Sequence, residues 1–572
     1  MQALETDLLI LGSGGAGLFA ALHAHAADPK LDVTIAVKGL LGKCGCTRMV
    51  QGGYNVALAA GDSVERHFMD TIEGGAWLPH QELAWKLVTG AVERIHELEN
   101  ELGCFFDRNP DGTIHQKAFA GQTFDRTVHK GDLTGIEIIN RLAEQVWARG
   151  IRRLEEHRAV ELVRARGGDR IAGVLLIDMR TGEFVLARAR AVVLATGGGP
   201  TMYKYHTPSG DKACDGLAMA LRAGLPLRDM EMVQFHPTGL LAGPHTRMTG
   251  TVIEEGLRGS GGYLLDGAGE RFMARYDPRG ERATRDIVSR AMFTEMRKGN
   301  TTPHGGLYIA MAHLGPENVR RQFKGMVERC ADCGFDLAGG RVEVVPTAHY
   351  MMGGVEFGVD CATALAGLFA AGEDTGGVHG ANRLGGNGVA NSTVFGGVAG
   401  ESAAAWLAAS GTRPEPDPEA IERARSAALA PFGRPAGDLN AIREALYDLM
   451  WNDVGILRDG AGLARALGAL DDLHARLART GLADPTRTFN LTWHDWLNLD
   501  SLIAVSKAIA HTALAREDSC GAHYREDFPR GAEPAGAAFT RIRQRGDGFA
   551  LEFVPVEFTR VRPGESLLKE AA

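Results

Sequence analysis

Five short stretches, far apart in the chain, carry ionisable groups in settings that could hold and protonate a small anion. They are FHPTG around His236, EEGLRGSGG with Glu254, Glu255 and Arg258, ATRDIVSR with Arg285, and the pair PTAHYMMGG and HGANRLGGN with His349 and Arg383. A guanidinium grips a carboxylate bidentately and an imidazole adds a donor, so together they suit a cage for a small dianion. Singly, each has an ordinary reading: a histidine beside proline is commonly structural, and Arg285 before Asp286 reads as an ion pair. Their joint occurrence points to chemistry.

A sixth stretch, GKCGCTRMVQGGYN at 42–55, leaves three readings open for Cys44-Gly45-Cys46: a metal clip, a disulfide, or the lining of a cofactor site. Eight cysteines in 572 residues are too sparse for a disulfide framework, and that usage reads as reduced and intracellular. Cys330-Ala-Asp-Cys333 has no second pair to complete a zinc site, and no closely spaced run could hold an iron–sulfur cluster.

The elements that must position these groups begin at once. Residues 6–38 read as a strand (DLLILG), a glycine turn, a helix (GLFAALHAHAA) and a second strand (DVTIAVK). Glycines interrupt the apolar run where a strand would turn into a helix, which favours this reading over a membrane span. Gly12-x-Gly14-x-x-Gly17 stands where a dinucleotide fold needs a tight turn, close approach to pyrophosphate, and helix-on-strand packing. Lys38 occupies the end of the second strand, where a nicotinamide dinucleotide site would place a carboxylate.

Helical periodicity follows at 83–104 and 132–149, then strands in RIAGVLLIDM and EFVLARARAVVLATGGG, and a helix at 212–224. The pattern changes to mixed strands and helices from about 236 to 348, and the glycine-rich strand-and-turn style returns at 349–405. The first unit is therefore read as discontinuous, 1–235 with 349–405, interrupted by 236–348. A helical, Ala/Leu/Arg-rich part spans 406–515, and a strand-ending C-terminal segment spans 516–572. Charged residues at 23%, hydrophobic ones at 45% and a net charge of -9 describe a globular chain, with no basic block for nucleic acid. The strand starts too early to leave room for a secretory signal, so cytoplasmic is the expected location.

HPTG, EEGLRGSGG, PTAHYMMGG and GLFAAGED…VHGANRLGGN, in this order behind GSGGAG, resemble the flavoprotein subunit of succinate dehydrogenase and fumarate reductase. The wider family includes L-aspartate oxidase. The resemblance runs nearly end to end, through REDSCGAHYREDFP at 516–529, where Cys520 replaces the family's usual arginine. It implies an α/β fold: a Rossmann-like FAD-binding domain interrupted by an α+β capping domain, then a helical domain and a small C-terminal segment.

The family's roles carry over residue by residue. His236, His349 and Arg383 would bind the substrate carboxylates, and Arg285 would be the proton donor or acceptor. Arg258 and Glu255 would relay protons between Arg285 and solvent. FAD would meet Gly12, Ser13, Gly14, Gly15, Ala16 and Gly17, then Lys38, then Cys46 and Thr47 through Gln51, Gly52 and Gly53. Further contacts would come from Thr196 and Gly197, Asp215, Glu373, and Gly388 with Val389. Glu373 has a plain alternative as a helix-capping carboxylate.

Aligned on Gln51-Gly52-Gly53, Cys46 falls where the membrane-bound succinate dehydrogenases carry a histidine bonded to FAD. The stretch is thus expected to line the isoalloxazine, with FAD held non-covalently. An unlinked flavin has a lower potential, at about 1.4 kcal/mol per ~30 mV for two electrons, which leans towards fumarate reduction or oxidase chemistry. Two further departures bear on the substrate. Phe119, in FAGQTFDRT, stands where L-aspartate oxidase has a glutamate for the substrate ammonium. Glu254 replaces a usual threonine, after the longer segment LLAGPHTRMTGTV, and would repel a carboxylate unless protonated or turned away. The resemblance also implies an iron–sulfur protein and a membrane anchor on separate chains, which would place this one at the inner face of the membrane. Two alternatives stay open: L-aspartate oxidase, and a chain active only in electron transfer, docked on such a partner.

Overall fold

The computed structural model describes residues 1–243 and 246–568. Pro244 and His245, within the segment LLAGPHTRMTGTV, lie outside the described residues, as do 569–572.

The central sheet has seven strands, ordered Arg152–Glu155, Val33–Val37, Gln2–Leu11, Glu183–Leu194, Ile171–Asp178, His157–Arg164, with Leu368–Ala370 also paired to Glu183–Leu194. The long strand Glu183–Leu194 is shared along its length. Its first half pairs antiparallel with Ile171–Asp178, and its last three residues pair parallel with Leu368–Ala370. Its other edge runs parallel to Gln2–Leu11, which in turn is parallel to Val33–Val37. Five strands, Arg152–Glu155 included, are therefore parallel, and GSGGAG, Lys38, ATGGG and AAGED leave four of them at one edge of the sheet. Open α/β sheets bind ligands at that edge.

LLIL reads as a continuous apolar run because the sheet is covered on both faces. Leu8 and Ile10 join the cluster that holds the helix Gly15–Ala27, whereas Leu9 and Leu11 join the opposite one. The helix Gly15–Ala27 packs on Asn387–Ala409, which returns from the far side of the insert. The contact is close: a Cβ on Gly400 would lie 2.3 Å from the Ala20 carbonyl oxygen.

Strands Val233–Leu240, Arg341–Met351, Leu307–Ala310 and Tyr263–Leu265 form a four-stranded antiparallel sheet. With the helix Arg285–Arg297 it encloses an apolar cluster whose fully buried members run from Leu240 to Val344. Beyond residue 409 come the helices Pro418–Leu429, Leu439–Asp453, Gly460–Arg479 and Leu491–Ala515. Side chains of Asp438, Asp459 and Asn490 cap the last three at their N-termini, each cap contributing about 1 kcal/mol. The hairpin Ala538–Arg545 and Gly548–Pro555 joins Leu227–Arg228 and Gly354–Val355 in a further sheet. The helix expected at 83–104 is Gln81–Asn100; it stops short because Gly103 takes a φ of +80°. Among the described residues no helix is long and apolar enough to cross a membrane.

Two glycines in helices test the packing argument. Gly400→Ala forces a methyl into the Ala20 carbonyl and is expected to lower the urea midpoint, at a cost of about 1–3 kcal/mol. Gly468→Ala, on an open helix face with nothing within 4 Å of its Cβ position, is expected to raise it by about 0.5–1 kcal/mol.

Candidate active site

Gly12 leaves the first strand at a φ of +107°, and a Cβ there would lie 2.2 Å from the Ala195 carbonyl oxygen. A Cβ on Gly17 would lie 2.1 Å from the Gly12 carbonyl oxygen, so this position holds the helix against the strand and does not face the cavity. Between them the helix Gly15–Ala27 begins without a side-chain cap, and the Ser13 hydroxyl is buried without a partner. Thr47 accepts the Gly15 N–H at 3.0 Å. Free N–H groups at a helix start, with the helix dipole behind them, are suited to phosphate.

Two adjoining cavities meet here. The smaller, about 60 Å³, is lined by Gly12, Ser13, Lys38 and Asp215; the larger, about 440 Å³, takes in Gly15, Ala16, Cys46, Thr47, Gln51, Gly52 and Gly53. Glu373, Gly388 and Val389 complete that end of the larger one, and Thr196 and Gly197 line both. Lys38 and Asp215 are paired: Lys38 donates to one Asp215 oxygen and Arg158 to the other, each at 2.7 Å. Burial opposes ionisation of Asp215, yet Arg158 and Lys38 hold its pKa at about 2. Glu373 caps no helix; it accepts the N–H groups of Met351 at 3.0 Å and Gly199 at 3.2 Å, and burial pushes its pKa up to about 7. The uncapped helix start and the orphaned oxygens of Ser13 and Gln51 fit a bound dinucleotide. All eight cysteines are free thiols, and among the described residues no three His, Cys, Asp or Glu gather as metal ligands.

The same large cavity is lined at its other end by His236, Glu254, Glu255, Arg285, His349, Arg383 and Phe119. Groups separated by up to 264 residues in sequence thus share one pocket. Arg285 Nη2 donates to Glu255 Oε2 at 2.5 Å, and Arg258 Nη2 donates to Glu255 Oε1 at 2.8 Å. Arg285 therefore pairs with Glu255, while the neighbouring Asp286 turns to Arg290 at 3.4 Å. Burial opposes ionisation of Glu255, but the two guanidiniums hold its pKa below the ordinary carboxylate range. Arg383 lies 4.3 Å over the Tyr350 ring, and burial together with Arg285 lowers its pKa to about 10. The rings of His236 and His349 are 5.3 Å apart. Burial, and then the Arg285 cation, drive both imidazoles well below their usual range, so they are neutral. His236 Nδ1 accepts from the Thr238 N–H at 3.3 Å, which leaves Nε2 as a donor.

Arg258 is fully buried behind Glu255 and does not line the cavity; its Nη1 donates to the Glu281 carbonyl at 2.7 Å. Glu254 is paired with Lys117, whose ammonium offsets the burial that raises the Glu254 pKa.

Residues 7–389 match the FAD binding domain family, and 443–567 match the fumarate reductase flavoprotein C-terminal family. One relative, from the CoM/CoB fumarate reductase of Methanothermobacter marburgensis, is 42% identical over 92% of this chain and 95% of its own. The fumarate reductase flavoprotein subunit of Escherichia coli is 36% identical over 92% of this chain and 89% of its own. A solved chain of E. coli quinol fumarate reductase superposes with a TM-score of 0.92, at 34% identity and 99% coverage of both. The chain belongs to the succinate dehydrogenase/fumarate reductase flavoprotein family.

It is thus a fumarate reductase-type, FAD-dependent oxidoreductase. Several residues of this flavoprotein's site carried no motif. Gln234 Oε1 accepts from Arg285 Nη1 at 2.9 Å and from Arg383 Nη2 at 3.1 Å, and its amide donates to Asn382 and to the Arg383 carbonyl. Thr207 pairs with His349 Nδ1 at 2.7 Å, and Lys117 neutralises Glu254. Gln234 stands two residues before His236 on one strand, a spacing that puts both side chains on one face. That was the available signal. Gln234→Leu leaves two buried guanidinium N–H groups unpaired, each costing about 1–3 kcal/mol. Its kcat/KM is expected to fall by roughly 10- to 100-fold with FAD content unchanged, as read by steady-state kinetics and flavin absorbance.

Proposed function

We propose that this chain interconverts fumarate and succinate, or a close C4 dicarboxylate. One observation carries the reading: Arg285, Arg383 and Arg258 gather around the one carboxylate of Glu255, so this end of the buried cavity carries an excess of positive charge. The histidines are neutral and the Lys117–Glu254 pair adds no net charge. Buried charge is costly unless matched, and a small doubly charged acid matches it. Pairing with Lys117 also removes the repulsion that Glu254 alone would exert. An amino acid fits less well, because its ammonium would meet Phe119 and an already cationic wall.

FAD, when bound, supplies two-electron hydride chemistry. The protein's part is positioning and proton delivery. Arg383 and the imidazoles of His236 and His349 hold the two carboxylates, which fixes the carbon–carbon bond against one wall and polarises it. Arg285 donates a guanidinium proton to the substrate carbon in reduction and takes one back in oxidation. Arg383 shares the Gln234 oxygen with it, and Glu255, 2.5 Å away and also bonded to Arg258, returns the proton. Glu255 is in turn resupplied from the side of Arg258.

We read the FAD as non-covalent. Burial, and then Glu373, push the Cys46 thiol up to about 12, so the nucleophilic thiolate is scarce at neutral pH. The relatives are named as subunits, and we infer that electrons reach this chain from an iron–sulfur protein on a separate chain. A membrane anchor, where one exists, would likewise be separate, with this flavoprotein on the cytoplasmic face.

The isolated holoprotein, given reduced viologen, is expected to reduce fumarate, whereas aspartate should drive no oxygen uptake. Arg285→Gln should abolish turnover while retaining FAD; a variant with a tenth of the activity would remove Arg285 from the acid role. On acid precipitation of the holoprotein, the flavin is expected in the supernatant. Yellow colour remaining with the pellet would contradict non-covalent binding.

A further inference from the structure

Lys212 lies just before the helix Asp215–Arg222 and lines both cavities, a position it shares only with Gly14, Thr196 and Gly197. Its Nζ donates to the Thr196 carbonyl at 2.8 Å. Among the described residues no carboxylate oxygen lies within 4.0 Å of that nitrogen. Asp374, the acid beside the same strand end, is already engaged by the N–H groups of Thr196 and Gly197 and by the Thr196 hydroxyl. A Cβ on Gly197 would come 3.5 Å from the ammonium, and one on Gly45 would come 3.7 Å from it. Lys212 thus stands between two glycine backbones at the junction of the cavities, with one of its three N–H donors used.

In a dinucleotide the pyrophosphate joins the two halves, so the residues common to both cavities flank it. Gly14 brings the uncapped helix start, and Lys212 is the one cation of the four. We propose that Lys212 is the counter-cation of the cofactor's pyrophosphate, opposite the start of the helix Gly15–Ala27. A helix start and a lysine together form a charge-assisted phosphate site stronger than the backbone alone. The proposal rests on FAD being the cofactor and goes beyond it in assigning a side-chain charge to the glycine cradle.

The test is to strip the holoprotein of flavin and titrate the apoprotein with FAD and with riboflavin, which lacks the phosphates, following flavin fluorescence. Lys212→Met is expected to weaken FAD binding tenfold or more, to flatten its salt dependence, and to leave riboflavin binding and the apoprotein's melting temperature unchanged. Lys212→Arg should stay within about threefold of the wild type. FAD affinity unchanged in Lys212→Met overturns the assignment, as does an equal loss for riboflavin, which would place the lysine on the ring or in the scaffold. A wild-type apoprotein that takes up no FAD sinks the cofactor reading as well.

Discussion

Arg285 and Arg383 donate to the same amide oxygen of Gln234 inside a buried pocket, and the rest of the site adjusts to that concentration of like charge. Burial, and then the neighbouring cations, keep His236 and His349 neutral, so they act as directional donors and acceptors and add no further charge. Glu255 stays ionised despite its burial, because it lies between two guanidiniums. Arg285 is also the first residue of the helix Arg285–Arg297, where the helix dipole disfavours a cation. The Glu255 carboxylate paired with it offsets that placement.

A single antiparallel strand pair organises this charge. On Val233–Leu240 and Arg341–Met351, Gln234 stands opposite Tyr350, and both hold Arg383: one by accepting its N–H, the other by presenting a ring face at 4.3 Å. His236 and His349 come from the same two strands. The pairing register shifts on either side of Phe235 and His236, and such irregularities re-aim side chains near active sites. Gln234, His236, His349 and Tyr350 are therefore all fixed on one strand pair.

Much of this was legible in the sequence because glycine and arginine motifs mark backbone geometry and charge. GSGGAG between a strand and a helix specified the turn, and the five ionisable stretches do converge on one cavity. What stayed hidden were pairings that no local pattern encodes. Lys117 and Glu254 are 137 residues apart, and Arg158 reaches Asp215 from another strand. Arg258 has the same residue type and neighbourhood as the lining residues, yet the short helix Gly256–Gly259 turns it behind Glu255. Sequence spacing brings a residue to the site without deciding which side of it the side chain takes.

The Lys117–Glu254 pair shows how a departure from the family pattern is absorbed. Lys117 belongs to the short strand Gln116–Lys117 of the first part of the chain, whereas Glu254 lies in the insert. Neutralising the Glu254 carboxylate therefore requires the insert to sit over the first part. Were they separated, a carboxylate now only 3% exposed would lose its cation and face the cavity alone. The contact that covers this wall of the cavity therefore also sets its charge, since Glu254 meets its cation only there.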